Sequence, residues 1–247
     1  MDKELIDRIN NIYWKYNLGA QMVKKPRDLA VLTSYSSFGK NNKNGPIGVA
    51  KCLFNKEKVT LIMLGGTQFR EGQATTFKES KLSMKGKDND YLDAVLDVFN
   101  NNVISKKEPV IISGISLGGM IAQQILSKVE ITNNYNIKSI ICFGSPIVNP
   151  VDRKGIRVIR FTDKGDIVPK LGKFTSRFHG INNKIRKKLD NEERILEDGN
   201  YKKTIESHAL SYVECVGFDK YDFYGVLNGK NTLEILEDIK YYDAKVK

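Results

Sequence analysis

Short apolar runs that alternate with glycine-containing loops and helical stretches are the feature that most limits which fold this sequence can adopt. Three such runs, Pro109–Ile112, Ile137–Phe143 and Ile156–Phe161, each end at a loop rich in glycine or polar residues. A predicted helix, Met120–Val129, follows the first of them. Repetition of strand, loop and helix is typical of a mostly parallel sheet whose two faces are covered by helices. We therefore predict an α/β fold with such a sheet at its centre.

The length of the chain fits this fold as one domain. A single hydrophobic core grows to about 250 residues before chains divide into domains, and this chain has 247 residues. Apolar residues make up 40% of it and charged residues 28%, which supports a sizeable core and excludes a disordered or fibrous protein. We predict one domain over residues 1–247, with the irregular residues 170–203 as a surface insertion or long loop.

Hydrophobic spacing predicts further elements on both sides of these runs. Three segments have apolar residues at helical spacing, and three others have the composition of strands. The predicted helices are Lys3–Lys15, Tyr91–Val103 and Thr232–Tyr242, and the predicted strands are Ala30–Tyr35, Gly48–Asn55 and Lys58–Leu64. A short Asn-Lys-Glu turn joins the last two strands into a predicted β-hairpin.

The chain carries a basic excess, with 40 Lys and Arg against 29 Asp and Glu and a net charge of +11. Such an excess suits nucleic acid, an anionic membrane, an acidic substrate or simple solubility, so charge alone does not choose among them. Residues 170–203 hold ten basic and five acidic side chains. Because no helix-turn-helix, zinc ligand set or stacking-aromatic motif accompanies them, a nucleic-acid partner is disfavoured. We expect a solvated face, or as a hypothesis a contact with an anionic membrane surface.

Cysteine and histidine usage favours a reducing compartment and no metal. Of the three cysteines, Cys52 and Cys142 lie in apolar runs that resemble buried strands, so a disulfide scaffold is disfavoured. The first ten residues do not resemble a signal peptide, and no stretch approaches the roughly 18 apolar residues of a membrane span. Two distant histidines and the absence of Cys-x-x-Cys spacing predict no metal site and imply no cofactor. A cytoplasmic protein is the default expectation.

One strand-to-helix turn places a serine between two glycines. The sequence Gly-Ile-Ser-Leu-Gly at 114–118 follows an apolar strand and precedes a helix, the context of a nucleophile elbow. Gly114 and Gly118 remove side chains that would collide across so sharp a turn, and Ser116 would hold a strained backbone conformation. The helix N-terminus and the amide N–H of Leu117 would then face any negative charge at Ser116. We predict that Ser116 is a nucleophile.

A serine hydroxyl needs a base, and in this type of fold the base is a histidine that follows the serine in the chain. The chain has two histidines, His179 and His208, and both follow Ser116. His208 lies far enough after the last acid-bearing strand to occupy a separate loop that reaches the serine. His179 lies inside the basic segment, where a structural or exposed histidine is more common. We favour His208 as the base.

The base in turn needs an orienting carboxylate, expected at the carboxyl end of a strand after the serine. Asp163 and Asp166 both follow the run Ile156–Phe161. The Ile-Val-Pro sequence after Asp166 would fix the loop and surround the carboxylate with apolar groups. Asp163 is nearer the strand end and would cap the turn. We favour Asp166 as the acid.

An oxyanion hole needs a second N–H, from the loop after an earlier strand. Gly65-Gly66-Thr67 follows the strand that ends at Leu64, at the right place in the chain. Thr67 could supply both its amide and its hydroxyl. We predict that Thr67 and Leu117 form this hole.

Four motifs of this chain occur together in a known family. They are Gly-x-Ser-Leu-Gly-Gly at 114–119, Phe-Gly-Ser-Pro at 143–146 with Asn149, Asp-x-Val-Pro at 166–169, and His208 followed by Tyr212. From about Val59 to Tyr212 the chain thereby resembles the fungal-type class 3 triacylglycerol lipases, which are α/β-hydrolases. The resemblance implies an oxyanion role for Thr67, through that family's Arg-Gly-Thr/Ser loop. It also places a non-catalytic histidine near His179.

Two positions depart from that family's pattern, since Ile115 and Gly65 stand where the family usually has histidine and arginine. Neither position performs the chemistry. Residues 69–90 occupy the place of the family's lid with few large apolar side chains, so a smaller ester or a phospholipid suits the chain as well as a triglyceride. We predict a serine hydrolase that cleaves carboxylic esters of a lipid or acylglycerol through an acyl-enzyme. The alternative is a non-catalytic binding or structural protein on the same scaffold.

Overall fold

A central β-sheet with helices on both of its faces organises the computed structural model of this protein. The structure describes residues 11, 22–38, 45–67, 74–101, 103–148, 153, 155–171, 190–201 and 204–245. The strands are β1 (Met22–Val23), β2 (Ile47–Phe54), β3 (Glu57–Leu64), β4 (Val110–Ile115), β5 (Ile137–Phe143), β6 (Arg157–Asp163), β7 (Glu192–Glu197), β8 (Leu233–Ile235) and β9 (Lys240–Tyr242). The helices are α1 (Pro26–Phe38), α2 (Phe77–Met84), α3 (Asp90–Asn100), α4 (Leu117–Ser127), α5 (Val129–Asn134) and α6 (Thr204–Glu214), and a 3₁₀ helix spans Val216–Lys220.

The strands lie in the order β1-β8-β2-β3-β4-β5-β6-β7, and β9 also pairs with β2. Strands β3 to β7 are parallel neighbours, whereas β2 pairs antiparallel with β3 and the short strands add antiparallel partners. The carboxyl ends of β3, β4 and β6 therefore meet at one edge of the sheet. The predicted α/β fold with a mostly parallel sheet is confirmed.

Two buried apolar clusters cover the two faces of the sheet. On one face α3 and α4 pack their apolar sides on the strands, with Tyr91, Phe99 and Ile121 fully buried. On the other face α1 and α6 contribute buried side chains, among them Leu29 and Tyr212. Because both faces are covered, β4 and the β5 residues beside it are buried almost throughout, as parallel strands usually are.

The predicted hairpin of β2 and β3 is confirmed, and its turn explains its register. Asn55 and Lys56 have φ values of 49° and 75°. Positive φ at both central residues is the geometry of a type I′ turn, whose twist matches that of the flanking strands. Phe54 pairs with Glu57 across the turn, and Ile47 pairs with Leu64 at the far end.

The prediction of a strand at Ala30–Tyr35 is wrong, because these residues belong to α1. Pro26 occupies the first position of that helix, where its missing N–H costs no hydrogen bond. The Asp28 carboxylate accepts from the backbone N–H groups of Lys24 and Lys25 at 3.0 and 2.8 Å, which fixes the start of the helix. A short run of apolar residues occurs both in buried helices and in buried strands, so the spacing of apolar residues could not distinguish the two.

The prediction of a helix at Thr232–Tyr242 is also wrong, because this stretch forms β8 and β9. Both strands pair with β2, with Cys52 opposite Ile235 and Ile47 opposite Tyr242. The free edge of β2 supplies backbone partners that an isolated helix would not have, so tertiary pairing overrides the helical spacing.

The irregular segment predicted at 170–203 contains a strand that sequence reasoning missed. β7 pairs parallel with β6, from Glu192 opposite Val158 to Glu197 opposite Asp163, so residues 192–197 are a strand at the edge of the sheet. Four of the six residues of β7 are charged, so its sequence did not show the apolar pattern of a strand. Its apolar residue Ile195 is buried. The predicted helix at Lys3–Lys15 and the centre of the basic segment at 172–189 lie outside the described residues, apart from residue 11.

Candidate active site

Ser116 lies at a sharp turn between β4 and α4. Its backbone has φ 53° and ψ −116°, a strained conformation for a residue with a side chain. The Ser116 N–H donates to the carbonyl of Phe143 at 2.9 Å, which ties the turn to the neighbouring strand β5. Ser116 makes no side-chain cap to the helix, so its hydroxyl is available to other partners.

The two glycines around Ser116 are required by close approach of backbone. A Cβ at Gly114 would lie 2.5 Å from the backbone carbon of Gly118, and one at Gly118 would lie 2.0 Å from the carbonyl oxygen of Leu64. Both distances are far below van der Waals contact. The geometry is that of a nucleophile elbow, in which a strand turns directly into a helix.

The structure brings His208 and Asp166 to this serine in one chain of hydrogen bonds. His208 Nε2 lies 2.9 Å from Ser116 Oγ, and His208 Nδ1 lies 2.8 Å from Asp166 Oδ2. The Asp166 side chain is completely buried, while 23% of the His208 side chain remains exposed. A buried carboxylate thus faces an imidazole that reaches toward solvent. His179, the other histidine, lies outside the described residues.

Asp166 is fixed from two further directions. The N–H of Val168 donates to Asp166 Oδ1 at 2.8 Å, and the phenol of Tyr212 donates to Asp166 Oδ2 at 2.7 Å. Burial and the negative charge of Asp166 raise the pKa of Tyr212 well above its ordinary value, so the phenol stays a donor. His208 and Tyr212 are one helical turn apart on α6, and both therefore reach the same carboxylate oxygen.

Asp163, the other acid considered from sequence, does not contact His208. Its Oδ1 accepts from the N–H groups of Gly165 at 2.9 Å and Gly199 at 3.1 Å, and its Oδ2 accepts from the hydroxyls of Ser207 at 2.6 Å and Ser211. Burial opposes the charged form, but these four hydrogen bonds outweigh it and lower the pKa of Asp163. The turn-capping bond to Gly165 agrees with the structural role considered for Asp163.

The loop after β3 lies beside Ser116, where the second oxyanion donor is predicted. A Cβ at Gly66 would lie 3.4 Å from the Ser116 Cβ, so this loop passes next to the serine side chain. The Thr67 hydroxyl is 3.0 Å from the hydroxyl of Ser80 on α2, which orients it. Leu117 begins α4, and its N–H therefore has no acceptor within the helix. The oxyanion role of Thr67 and Leu117 stays a prediction.

The two departures from the lipase pattern have simple local explanations. Gly65 uses its backbone, since its N–H donates to Pro46 at 2.8 Å and its carbonyl accepts from the phenol of Tyr91 at 3.1 Å. Ile115 is buried in the apolar cluster beneath α1 and α6. Both positions therefore support the turn without a charged or titratable side chain.

Sequence reasoning missed the side chains that hold these groups in place. Ser80, Ser207 and Ser211 all have buried hydroxyls close to the site. A usable signal existed for two of them, because Ser207 and Ser211 are four residues apart in the sequence and so share one face of a helix.

Several other expectations concern groups away from this site. Cys52, Cys142 and Cys215 are free and buried, and the first two lie in strands β2 and β5 as predicted. Within the described ranges, no group of three or more His, Cys, Asp or Glu side chains could hold a metal ion. No helix among those same residues is long and apolar enough to cross a bilayer.

Comparisons with known proteins add little to this geometry. No protein-family model matches the chain, and no curated protein matches it significantly. Among solved structures, the chain is similar to the Lip2 lipase from Yarrowia lipolytica, with 20% identity and a TM-score of 0.21. The match covers 33% of this chain and 32% of the lipase, so the chain spans about a third of that protein's length in the match. Similarity of that extent assigns no family.

Proposed function

We propose that this protein is a serine hydrolase that cleaves carboxylic ester bonds of a lipid or acylglycerol. The observation that carries the proposal is the continuous hydrogen-bonded line from Ser116 through His208 to the buried Asp166, with distances of 2.9 and 2.8 Å. A nucleophile, a base within hydrogen-bond reach and a group that orients the base are the parts that acyl transfer requires.

In the proposed first half-reaction, Ser116 Oγ attacks the ester carbonyl carbon while His208 Nε2 accepts the hydroxyl proton. Asp166 holds the imidazole by its Nδ1–H and stabilises the imidazolium that forms. The tetrahedral intermediate collapses, the bond to the alcohol oxygen breaks, and His208 returns the proton to the leaving alcohol. The acyl group is then bound to Ser116 as an ester.

In the second half-reaction, water takes the place of the alcohol. His208 accepts a proton from the water as its oxygen attacks the acyl carbon, and returns that proton to Ser116 Oγ when the acyl-enzyme bond breaks. The sum of the two halves is ester and water converted to carboxylic acid and alcohol, with Ser116 and His208 restored.

The backbone around Ser116 supplies the proposed stabilisation of the oxyanion. The N–H of Leu117 and the helix dipole of α4 face the serine side, and the loop of Gly66 and Thr67 passes beside it. Removal of a single oxyanion donor typically costs about 100-fold or more in kcat.

Two exposed apolar side chains support a lipid-like ester as the substrate. Ile167 follows Asp166 directly and is 45% exposed, and Phe77 begins the helix that contacts Thr67 through Ser80 and is 62% exposed. Their chain segments also carry Asp166 and Ser80, and we propose that an acyl chain contacts these two side chains. A panel of mono-, di- and triglycerides, phospholipids and p-nitrophenyl esters distinguishes these substrates.

The decisive test of the proposed function is the variant Ser116→Ala, assayed on short-chain p-nitrophenyl esters. We expect hydrolysis to fall to the background rate while circular dichroism and thermal unfolding remain those of the parent protein. Ser127→Ala, at the other end of the same helix, is the matched control and should keep parental turnover. Equal turnover by Ser116→Ala and the parent would show that Ser116 is not the nucleophile. Absence of turnover in the folded parent would favour the non-catalytic alternative.

The basic segment at 170–203 leads us to propose an anionic lipid surface as a partner of this hydrolase. It holds ten basic and five acidic side chains, and its basic excess would attract anionic headgroups. Sedimentation with vesicles tests this. We expect binding to rise with the fraction of anionic lipid and to fall with added salt, and binding that ignores both would contradict the proposal.

A further inference from the structure

A second carboxylate, Asp163, is buried a few residues from the proposed acid and is not used by the mechanism. Its side chain is fully buried and accepts four hydrogen bonds, two from loop amides and two from serine hydroxyls. Hydrogen bonds to a charged acceptor are about twice as strong as neutral ones. A carboxylate in this environment is therefore a rigid anchor for the groups that surround it.

Both serines bound to Asp163 belong to α6, the helix that carries His208. Ser207 donates to Asp163 Oδ2 at 2.6 Å and Ser211 donates to the same oxygen, and the two hydroxyls are 3.3 Å apart. Ser207 precedes His208 by one residue and Ser211 follows it by three. The anchor thus holds α6 at two points on either side of the proposed base.

The residues of α6 form two adjacent pairs, each with its own carboxylate. Ser207 and Ser211 bind Asp163, and one position further along the helix His208 and Tyr212 bind Asp166. Residues four apart lie on the same side of a helix, so each pair faces one acid.

The two acids are also joined to each other through their backbones. The N–H of Asp166 donates to the carbonyl of Asp163 at 3.1 Å, and the N–H of Asp163 donates to the phenol oxygen of Tyr212 at 3.3 Å. Gly199 completes the cluster, since a Cβ there would lie 2.7 Å from Asp163 Oδ2. The helix α6, the loop that carries Asp166 and the residues after β7 therefore all contact the carboxylate of Asp163.

We propose that Asp163 is a positioning residue that sets the placement of His208 between Ser116 and Asp166 by holding α6 at Ser207 and Ser211. The inference rests on the proposed function. His208 must reach two partners on two different segments, an acceptor in Asp166 and a donor in Ser116, so a small movement of α6 along its axis lengthens one of the two bonds. Misplacement of a reacting group by about 1 Å can cost on the order of 100-fold in rate.

The test removes the hydroxyls of Ser207 and Ser211. It leaves the proposed catalytic residues Ser116, His208 and Asp166 unsubstituted. In the double variant Ser207→Ala/Ser211→Ala we expect kcat for p-nitrophenyl butyrate to fall by about 10-fold or more, with KM changed by less than about threefold, because substrate contacts are retained. In the single variant Ser207→Ala we expect a smaller decrease in kcat. This variant replaces the double variant in the test if the double variant folds poorly.

Two controls separate positioning from general loss of stability. Val98→Ala truncates a buried side chain on the opposite face of the sheet and should lower the thermal midpoint without changing kcat well below that midpoint. Ser139→Ala removes a buried hydroxyl that has no hydrogen-bond partner and should change neither quantity. If Val98→Ala and the double variant lose the same thermal stability and the same kcat, the positioning role is overturned.

A readout that does not need hydrolysis keeps this inference distinct from the proposed function. If His208 Nδ1 donates its proton to Asp166, we expect that proton to give a downfield NMR signal, and the chain has two histidines to assign. We expect this signal to shift or broaden in the double variant and to be unchanged in Ser139→Ala. An unchanged signal in the folded double variant, with kcat within twofold of the parent, would contradict the positioning role. Lack of ester hydrolysis by a parent that shows the signal would instead contradict the proposed function.

Discussion

Two carboxylates at the end of β6, Asp163 and Asp166, are equally buried but have different partners. Asp166 accepts from an imidazole that is partly exposed, from a phenol and from one amide. Among the described residues, Asp163 accepts from amides and hydroxyls, which do not titrate near neutral pH. Burial of a carboxylate therefore does not by itself mark it as a candidate catalytic acid, and what distinguishes Asp166 from Asp163 is its contact with a partly exposed imidazole.

The largest difference between the two acids should appear in catalysis. In Asp166→Asn we expect kcat to fall on the order of 1000-fold or more, because an amide cannot stabilise the imidazolium and favours the wrong tautomer of His208. Steady-state kinetics with a short-chain p-nitrophenyl ester measures this. A loss of less than tenfold in a folded Asp166→Asn variant would show that Asp166 does not orient the base.

For Asp163 we expect the larger effect on stability. Asp163→Ala leaves two buried serine hydroxyls and two loop amides without their acceptor, which should lower the free energy of unfolding by about 2–4 kcal/mol. Urea unfolding at pH 7 provides the value. Destabilisation below about 0.5 kcal/mol would mean that the four hydrogen bonds do not anchor the fold.

The stability contributed by Asp163 should depend on pH in a defined direction. Its pKa is lowered from 3.8 by hydrogen bonds, against the opposing effect of burial. The charged form therefore stabilises the folded state above pH 3.8, and the stabilisation is lost as the pH falls through the lower folded-state pKa. The charged or titratable groups near Asp163 are Asp166, Tyr212 and Cys215. All three are present both in the parent protein and in the variant Asp163→Ala.

The measurement is the difference in unfolding free energy between the parent and Asp163→Ala as a function of pH. We expect a constant difference above about pH 5 and a smaller one below pH 3.8. A difference that stays constant or grows down to about pH 2.5 would contradict a lowered pKa in the folded state.

A smaller effect is expected for the phenol that links the two acids. Tyr212→Phe removes the hydrogen bond that the phenol donates to Asp166 and the one that it accepts from the N–H of Asp163, and should cost about 1–2 kcal/mol of stability and a several-fold loss in kcat. Tyr135→Phe is the matched control, because its phenol donates to a backbone carbonyl of α3, far from the site. Equal kcat in Tyr212→Phe and Tyr135→Phe would show that the phenol does not support the acid.

The parts of the site that sequence reasoning located are those fixed by local geometry. The turn at Ser116 needs glycine at 114 and 118 for steric reasons, so a short motif between a strand and a helix marks it. Because β3, β4 and β6 run parallel in one sheet, the loops that follow them lie at the same edge of that sheet. Sequence reasoning could therefore favour Asp166 and His208 before their distances were known.

The parts that sequence reasoning missed depend on partners distant in the chain. Residues 30–35 of α1 are predicted as a strand because a short apolar run is typical of a buried strand as well as of a buried helix, and the segment is helical in the structure. β8 and β9 exist because the edge of β2 is open to them. The anchor at Asp163 depends on Ser207 and Ser211, more than 40 residues away. Their four-residue spacing indicates a shared helix face, but it does not show that Asp163 is their acceptor.

The central claim is that Ser116 is a nucleophile activated by His208 and Asp166. A fluorophosphonate probe, which reacts with activated serine hydroxyls, tests it most directly when the modified peptide is identified by mass spectrometry. The account predicts one label per chain, located on Ser116, and strong loss of labelling in folded His208→Ala and Asp166→Asn. Failure to label Ser116 in the folded parent, or labelling that persists at the parental rate in folded His208→Ala, would contradict it.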